Sequence, residues 1–105
     1  MSARERPKGR RADRELELLI LEAGIDCDRS LSGRRQPAGD LSLPGVALEA
    51  RRRNRVRLVE WSREHEQRTP SHLIPALAYR PDGEPWRVSL PLADFLELLQ
   101  LRKAL

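Results

Sequence analysis

This sequence has little of almost every residue type that usually announces a function. It has one cysteine, Cys27, which cannot close an internal disulfide. That excludes a disulfide-stapled secreted module and fits a reducing compartment. Aromatic residues make up 4% of the chain. Trp61, Tyr79, Trp86 and Phe95 are expected in the core or at a subunit interface rather than as base-stacking platforms. The two histidines, His65 and His72, have no partner at zinc-ligand spacing and are expected as ordinary surface or helix-end residues. No Gly-rich phosphate loop is present, and no Ser/His/Asp or Cys/His triad is readable. No apolar run approaches the roughly 18 residues of a membrane-spanning helix. The basic N-terminus lacks the apolar segment of a secretory signal. A cytoplasmic location follows as the expectation.

What is abundant is charge. Charged residues are 34% of 105 residues and the net charge is +4. That length suits one small domain with a modest core, which a partner subunit would help. The basic residues are nearly all arginine; only Lys8 and Lys103 are lysine. A basic surface is compatible with a polyanionic partner, although a GC-rich coding sequence also favours arginine.

Punctuation and periodicity set the organisation. Residues 1–10, "MSARERPKGR", read as a mobile basic arm before a single domain over 11–105. Leu16, Leu19, Ile20 and Ala23 fall at helical spacing from Ala12 to Ala23, and Gly24 is a natural stop. "IDCDRS" alternates like a strand, and "SLSGRRQPAG" is a loop by composition. A hairpin follows, then an arginine run. Residues 56–67 predict a second helix and "HLIPALAYR" a buried strand. "PDGEP" is a turn, "WRVSL" a strand, and "PLADFLELLQLRKAL" a closing helix. The order is α-β-β-β-α-β-β-α.

The chemistry concentrates around "GDLSLPGVALEAR", residues 39–51. Folded symmetrically about Pro44-Gly45, it sets Leu43 against Val46, Leu41 against Leu48 and Asp40 against Glu49. Like charges directly opposite are destabilising, so this pairing makes sense with a cation between them. Pro-Gly favours a type II turn, not the usual two-residue hairpin turn, so a register slip stays open. Arg51, two residues beyond Glu49, points to the same face. Two carboxylates and a cation in one patch would suit a hard divalent ion such as Mg²⁺. The same spacing is met by a strand-start Asp and an ordinary Glu–Arg surface pair. Arginines at 51, 52, 53, 55 and 57 follow the patch, and Arg34 and Arg35 precede it. Either group alone fits a solvated face; two groups flanking one acidic patch leave phosphate-backbone contacts equally open. Asp13 and Glu15 lie in the first helix, where Asp13 fits a favourable first-turn acid and Glu15 is expected on the surface.

The ordered set "GRRADRELELLILEAG", "SLSG" and "GDLSLPGVALEAR" resembles the small Holliday junction resolvases of archaeal type and their phage-encoded relatives, within the PD-(D/E)xK nucleases. The C-terminal "EPWRVSLPLADFLELL" resembles the closing strand and helix of the phage-type members. The match runs from Gly9 to about Leu99. The resemblance implies a restriction-endonuclease-like α/β fold, a mixed central β-sheet flanked by helices. It implies Asp40 and Glu49 as ligands of Mg²⁺, with Mn²⁺ as a possible substitute. Asp13, with Arg14 after it, takes the place of the first-helix acid, and Ser32 and Gly33 lie in the loop near DNA. Asp40, Glu49, Arg51 and Asp13 would carry catalysis. Ser32, Gly33, Arg34, Arg35, Arg52, Arg53 and Arg55 would bind DNA. The implied activity is a metal-dependent DNA endonuclease, acting as a homodimer on Holliday junctions or other branched DNA in recombination, in a bacterial or phage-infected cytoplasm. Three departures stand out. Arg51 replaces the family lysine and cannot act as a base, Asp13 is a methylene shorter than Glu, and Glu64 stands where many relatives carry Gln. Two other functions compete: a related DNA-binding domain with weak or no cleavage because of Arg51, and a small basic phage accessory module whose partner is protein.

Overall fold

The computed structural model describes residues 5–29, 40–52 and 55–104. Helix α1 spans Glu5–Glu22, and strands β1 (Asp28–Arg29), β2 (Leu41–Leu43) and β3 (Val46–Arg51) follow. Helix α2 (Leu58–Arg68), strands β4 (Ile74–Tyr79) and β5 (Arg87–Ser89), and helix α3 (Leu92–Lys103) complete the chain. The element order is the expected one. One five-stranded sheet runs β1-β2-β3-β4-β5. Only β3 and β4 pair in parallel; the other neighbours are antiparallel. The sheet is therefore mixed, with α2 as the crossover a parallel pair needs.

Two boundaries differ from the expectation. Helix α1 begins at Glu5, earlier than the expected start at Ala12; of the expected basic arm over 1–10, residues 1–4 lie outside the described residues. Pro7 sits in the first turn, where a missing N–H costs no intrahelical bond. Strand β1, Asp28–Arg29 among the described residues, begins later than the alternation at Ile25 and Cys27 suggested. It pairs Asp28 with Ser42 and Arg29 with Leu41, and the short β2 offers little more ladder.

The far end of α1 stops where glycine predicts. Gly24 takes φ +82, and the Ile25 N–H donates to the Ile20 carbonyl at 3.2 Å. That backward bond closes the last turn as in a Schellman cap.

The hairpin keeps the symmetric register. Leu43 pairs with Val46, Ser42 with Ala47 and Leu41 with Leu48. Gly45 supplies φ +71, the positive value the turn after Pro44 requires.

Alternation then sorts β3 and β4 onto two faces. Leu16 of α1 packs with Leu41, Leu48, Ala76 and Ala78, all buried, while Ile20, Leu43, Val46 and Trp86 close around them. Ala47, Glu49 and Arg51 point the other way, toward α2, whose buried residues are Trp61 and His65. In the parallel register Glu49 neighbours Leu77 and Arg51 neighbours Tyr79.

Candidate functional site

Asp40 stands just before β2 and straddles Glu49 on the neighbouring strand. Its backbone N–H donates to the Leu48 carbonyl at 3.0 Å. Its Oδ2 accepts the Ala50 N–H at 2.9 Å. These two bonds hold the acid beside Glu49, between Leu48 and Ala50, one residue beyond the last registered pair, Leu41–Leu48. Burial pushes the Asp40 carboxyl above its ordinary pKa. The Ala50 N–H opposes that shift, the nearby Glu49 charge adds to it, and Arg51 and His65 oppose it. The Asp40 and Glu49 charges are therefore close enough to repel.

Glu49 is a charged residue only 7% exposed. Its Oε2 accepts from Arg51 Nε at 3.0 Å and its Oε1 from Arg68 Nη2 at 3.2 Å. Arg51 lies 5.5 Å over the Trp61 ring, a cation–π contact worth about 0.5–1 kcal/mol at a partly exposed site. That stack holds Arg51 on the α2 face rather than out with the rest of the arginine run. Arg68, on the last turn of α2, stays more than half exposed.

His65 lies in the last turn of α2, one of the two places expected of it, but it is buried there, only 1% exposed. Its Nε2 donates to the Ala47 carbonyl at 2.8 Å, since a carbonyl can only accept. Its Nδ1 is 3.5 Å from Thr69 Oγ1 and 3.8 Å from Glu49 Oε1. The ring thus ties α2 to β3 directly under the acid.

The other expected residues divide into three groups. Arg52 alternates to the α1 face, with Nη1 3.9 Å from Glu15. There Glu15 also accepts from Trp86 Nε1 at 2.8 Å and from Arg80; a residue expected on the surface thus joins α1 to the ends of β3, β4 and β5. Arg55 is exposed, and Asp13 is half-buried on α1, three residues before buried Leu16. Ser32, Gly33, Arg34, Arg35 and Arg53 lie outside the described residues.

The sequence reading missed His65, Arg68 and the Glu15 node. Arg68 had a usable signal: it shares a helix face with Trp61 and His65 at i+7 and i+3.

The donor chemistry of Asp40 and Glu49 fits a hard divalent cation. Both are oxygen acids, they face each other, and their mutual repulsion is what a cation relieves. Each Glu49 oxygen carries one N–H bond and keeps lone-pair capacity. Among the described residues, no cluster of three or more His, Cys, Asp or Glu could hold a metal ion. Such an ion would also need ligands from water or backbone, as Mg²⁺ commonly does.

No protein-family model matches this chain, and no curated protein matches it. Among solved structures, it is similar to a Holliday junction resolvase, Hjc, from the archaeal hyperthermophile Archaeoglobus fulgidus, known at 1.6 Å resolution. The TM-score is 0.55 at 20% identity, over 79% of this chain and 72% of that one. The chain therefore has the Hjc-like, restriction-endonuclease-like fold that its motifs suggested.

Proposed function

We propose that this protein is a metal-dependent DNA endonuclease that cuts Holliday junctions or other branched DNA, working as a homodimer in the cytoplasm. The observation that carries the reading is the facing pair Asp40 and Glu49. They sit at the end of the β2–β3 hairpin of a resolvase-type fold, with Arg51 fixed beside them. Asp40 and Glu49 would hold Mg²⁺, or Mn²⁺ in its place. A cation held by these two carboxylates would supply Lewis-acid polarisation of the phosphodiester and offset the charge that builds on its oxygens.

The protein's own groups would do the positioning. Arg51, held by Glu49 and Trp61, offers a fixed positive charge to the scissile phosphate. It cannot take up a proton, so no base is assigned to it. His65 is closed off beneath Glu49 and acts by orienting the strand. Asp13 is proposed as the first-helix acid of the site. Ser32, Gly33, Arg34, Arg35, Arg52, Arg53 and Arg55 would meet the DNA backbone and give salt-dependent binding.

One observation favours a second reading, DNA binding with weak or no cleavage. Both Glu49 oxygens are already engaged by guanidinium groups, which compete with a cation. Incubation with a labelled four-way junction in Mg²⁺, Mn²⁺ and EDTA separates the two. Cutting in either metal and not in EDTA supports the nuclease. Tight binding with no cutting in any condition supports the second reading, and no junction binding sinks both.

A further inference from the structure

Glu49 is held by two arginines that are anchored very differently. Arg51 donates Nε to Oε2 at 3.0 Å and lies over the Trp61 ring, with its side chain 25% exposed. Arg68 donates Nη2 to Oε1 at 3.2 Å from the last turn of α2, with its side chain 57% exposed. Its Nε donates to the Glu64 carbonyl, one turn back on its own helix, at 3.3 Å. That bond is exposed, so water replaces it at little cost.

The two guanidiniums therefore differ in what it costs to move them. Withdrawing Arg51 breaks an ion pair and a ring stack in a half-buried setting. Withdrawing Arg68 breaks a pair whose cation is already largely in water, and such pairs are weak. What Arg68 uncovers is Oε1 of a buried acid, close to the second acid, Asp40. A guanidinium and a divalent cation repel each other, so the two occupy Oε1 in turn. The N–H fork of a released arginine matches a phosphate as well as it matches a carboxylate.

We infer that Arg68 is an exchangeable guard on Glu49: it covers the acid in the metal-free protein, gives way to the divalent cation, and passes to a DNA phosphate. Arg51 stays in place throughout. This rests on the reading of Asp40 and Glu49 as the cation's ligands, and adds the residue that regulates their occupancy. By linkage, a phosphate that draws Arg68 off Glu49 raises cation affinity, and a bound cation raises affinity for that phosphate by the same factor.

Removing the guard tests the sign of its effect. Without DNA, Arg68→Ala should bind Mn²⁺ about fivefold more tightly than the parent, the upper end of what an exposed ion pair is worth. A residue that merely braced Glu49 would give the opposite sign, because its loss would loosen a ligand. Arg63→Ala is the control. Arg63 is exposed and two residues from Trp61, which turns it to the other side of α2, and its loss changes the net charge equally. It should leave Mn²⁺ affinity at the parent's value. Electron paramagnetic resonance of free Mn²⁺ reads these affinities with no cleavage involved. In EDTA, junction affinity measured across salt reads the transfer to DNA. There Arg68→Ala should flatten the log-log slope by about 0.9, one phosphate contact. Suppose the parent binds Mn²⁺ and Asp40→Asn does not. Equal or weaker binding by Arg68→Ala would then overturn the guard and leave the metal site standing. The same gain in Arg63→Ala would overturn it as a general charge effect. An unchanged salt slope would overturn the transfer to phosphate. Mn²⁺ binding by neither the parent nor Arg68→Ala would overturn both the guard and the metal site beneath it.

Discussion

The two faces of the β3–β4 pair are built from alternate residues of the same strands and serve opposite ends. On the α1 face Leu48, Ala76 and Ala78 bury apolar surface against Leu16 and Leu41. On the α2 face Glu49 is buried just as deeply, but among Arg51, Arg68 and His65. Burying an ion cluster is a poor route to stability, because desolvation offsets most of the Coulomb gain. The α1 face holds the fold together, and the α2 face holds a charged arrangement that stability alone does not call for. That is the physical reason to look for chemistry at Glu49 and not at its neighbour Leu48.

Adjacent residues give the sharpest break of the comparison. Glu49→Gln should lower cleavage by roughly a thousandfold or more, the several kcal/mol a metal ion supplies, while junction binding persists. Leu48→Ala should lower stability by about 2–5 kcal/mol through lost burial and a cavity, with cleavage by the folded fraction near the parent's. Denaturant titration and single-turnover cleavage on both variants check this. A Glu49→Gln variant that cuts at the parent rate would remove Glu49 from the metal site.

Arg51 is the next largest effect. Arg51→Ala should slow cleavage by roughly two to three orders of magnitude, the scale of one lost charge-stabilising donor. Arg51→Lys should keep or raise the rate, since a compact ammonium leaves more room at the phosphate and can shift its pKa. Equal single-turnover rates for the parent and Arg51→Ala would reduce Arg51 to a structural clamp on Glu49.

The α1 face and the hairpin were legible because their signals are local. Pro44-Gly45 fixed a turn, and alternation set the Leu43–Val46 and Leu41–Leu48 pairs and assigned the faces. The α2 side was less legible because its contacts are not local. Arg68 meets Glu49 across 19 residues; the helix-face spacing with Trp61 marks its side of α2 but not which strand residue it meets. The burial of His65 was not legible because its partner is a backbone carbonyl, which leaves no trace in the sequence. Strand alternation set Arg51 apart from the arginine run and on the Glu49 face; that Arg52 turns to Glu15 on α1 rests on a contact 37 residues away in sequence, which no local pattern marks. Helix α1 was expected to start later because its apolar spacing is legible only from Ala12, after the charged stretch "MSARERPKGR".

The smallest effect is on stability, and it tests whether the α2 face is strained without its ion. Burial and Glu49 raise the Asp40 carboxyl above its ordinary value in the fold. The native state thus holds that proton more tightly than the unfolded chain, and its stability falls as pH rises across the interval between the two values. The loss begins near the ordinary Asp pKa of about 3.9 and is complete above the raised native one. Asn does not titrate, and its side-chain oxygen can still accept the Ala50 N–H. In EDTA, Asp40→Asn should therefore match the parent in acid and melt at a higher temperature near neutral pH. Added Mg²⁺ should reverse the order, stabilising the parent by about 2.7 kcal/mol at a hundredfold excess over its dissociation constant and the variant far less. Thermal melts of both proteins from pH 3 to pH 8, with EDTA and with Mg²⁺, measure the two effects. If Asp40→Asn melts lower than the parent at neutral pH in EDTA, the ionised acid is not a cost to the metal-free fold, and a cation is not needed to explain why two acids face each other.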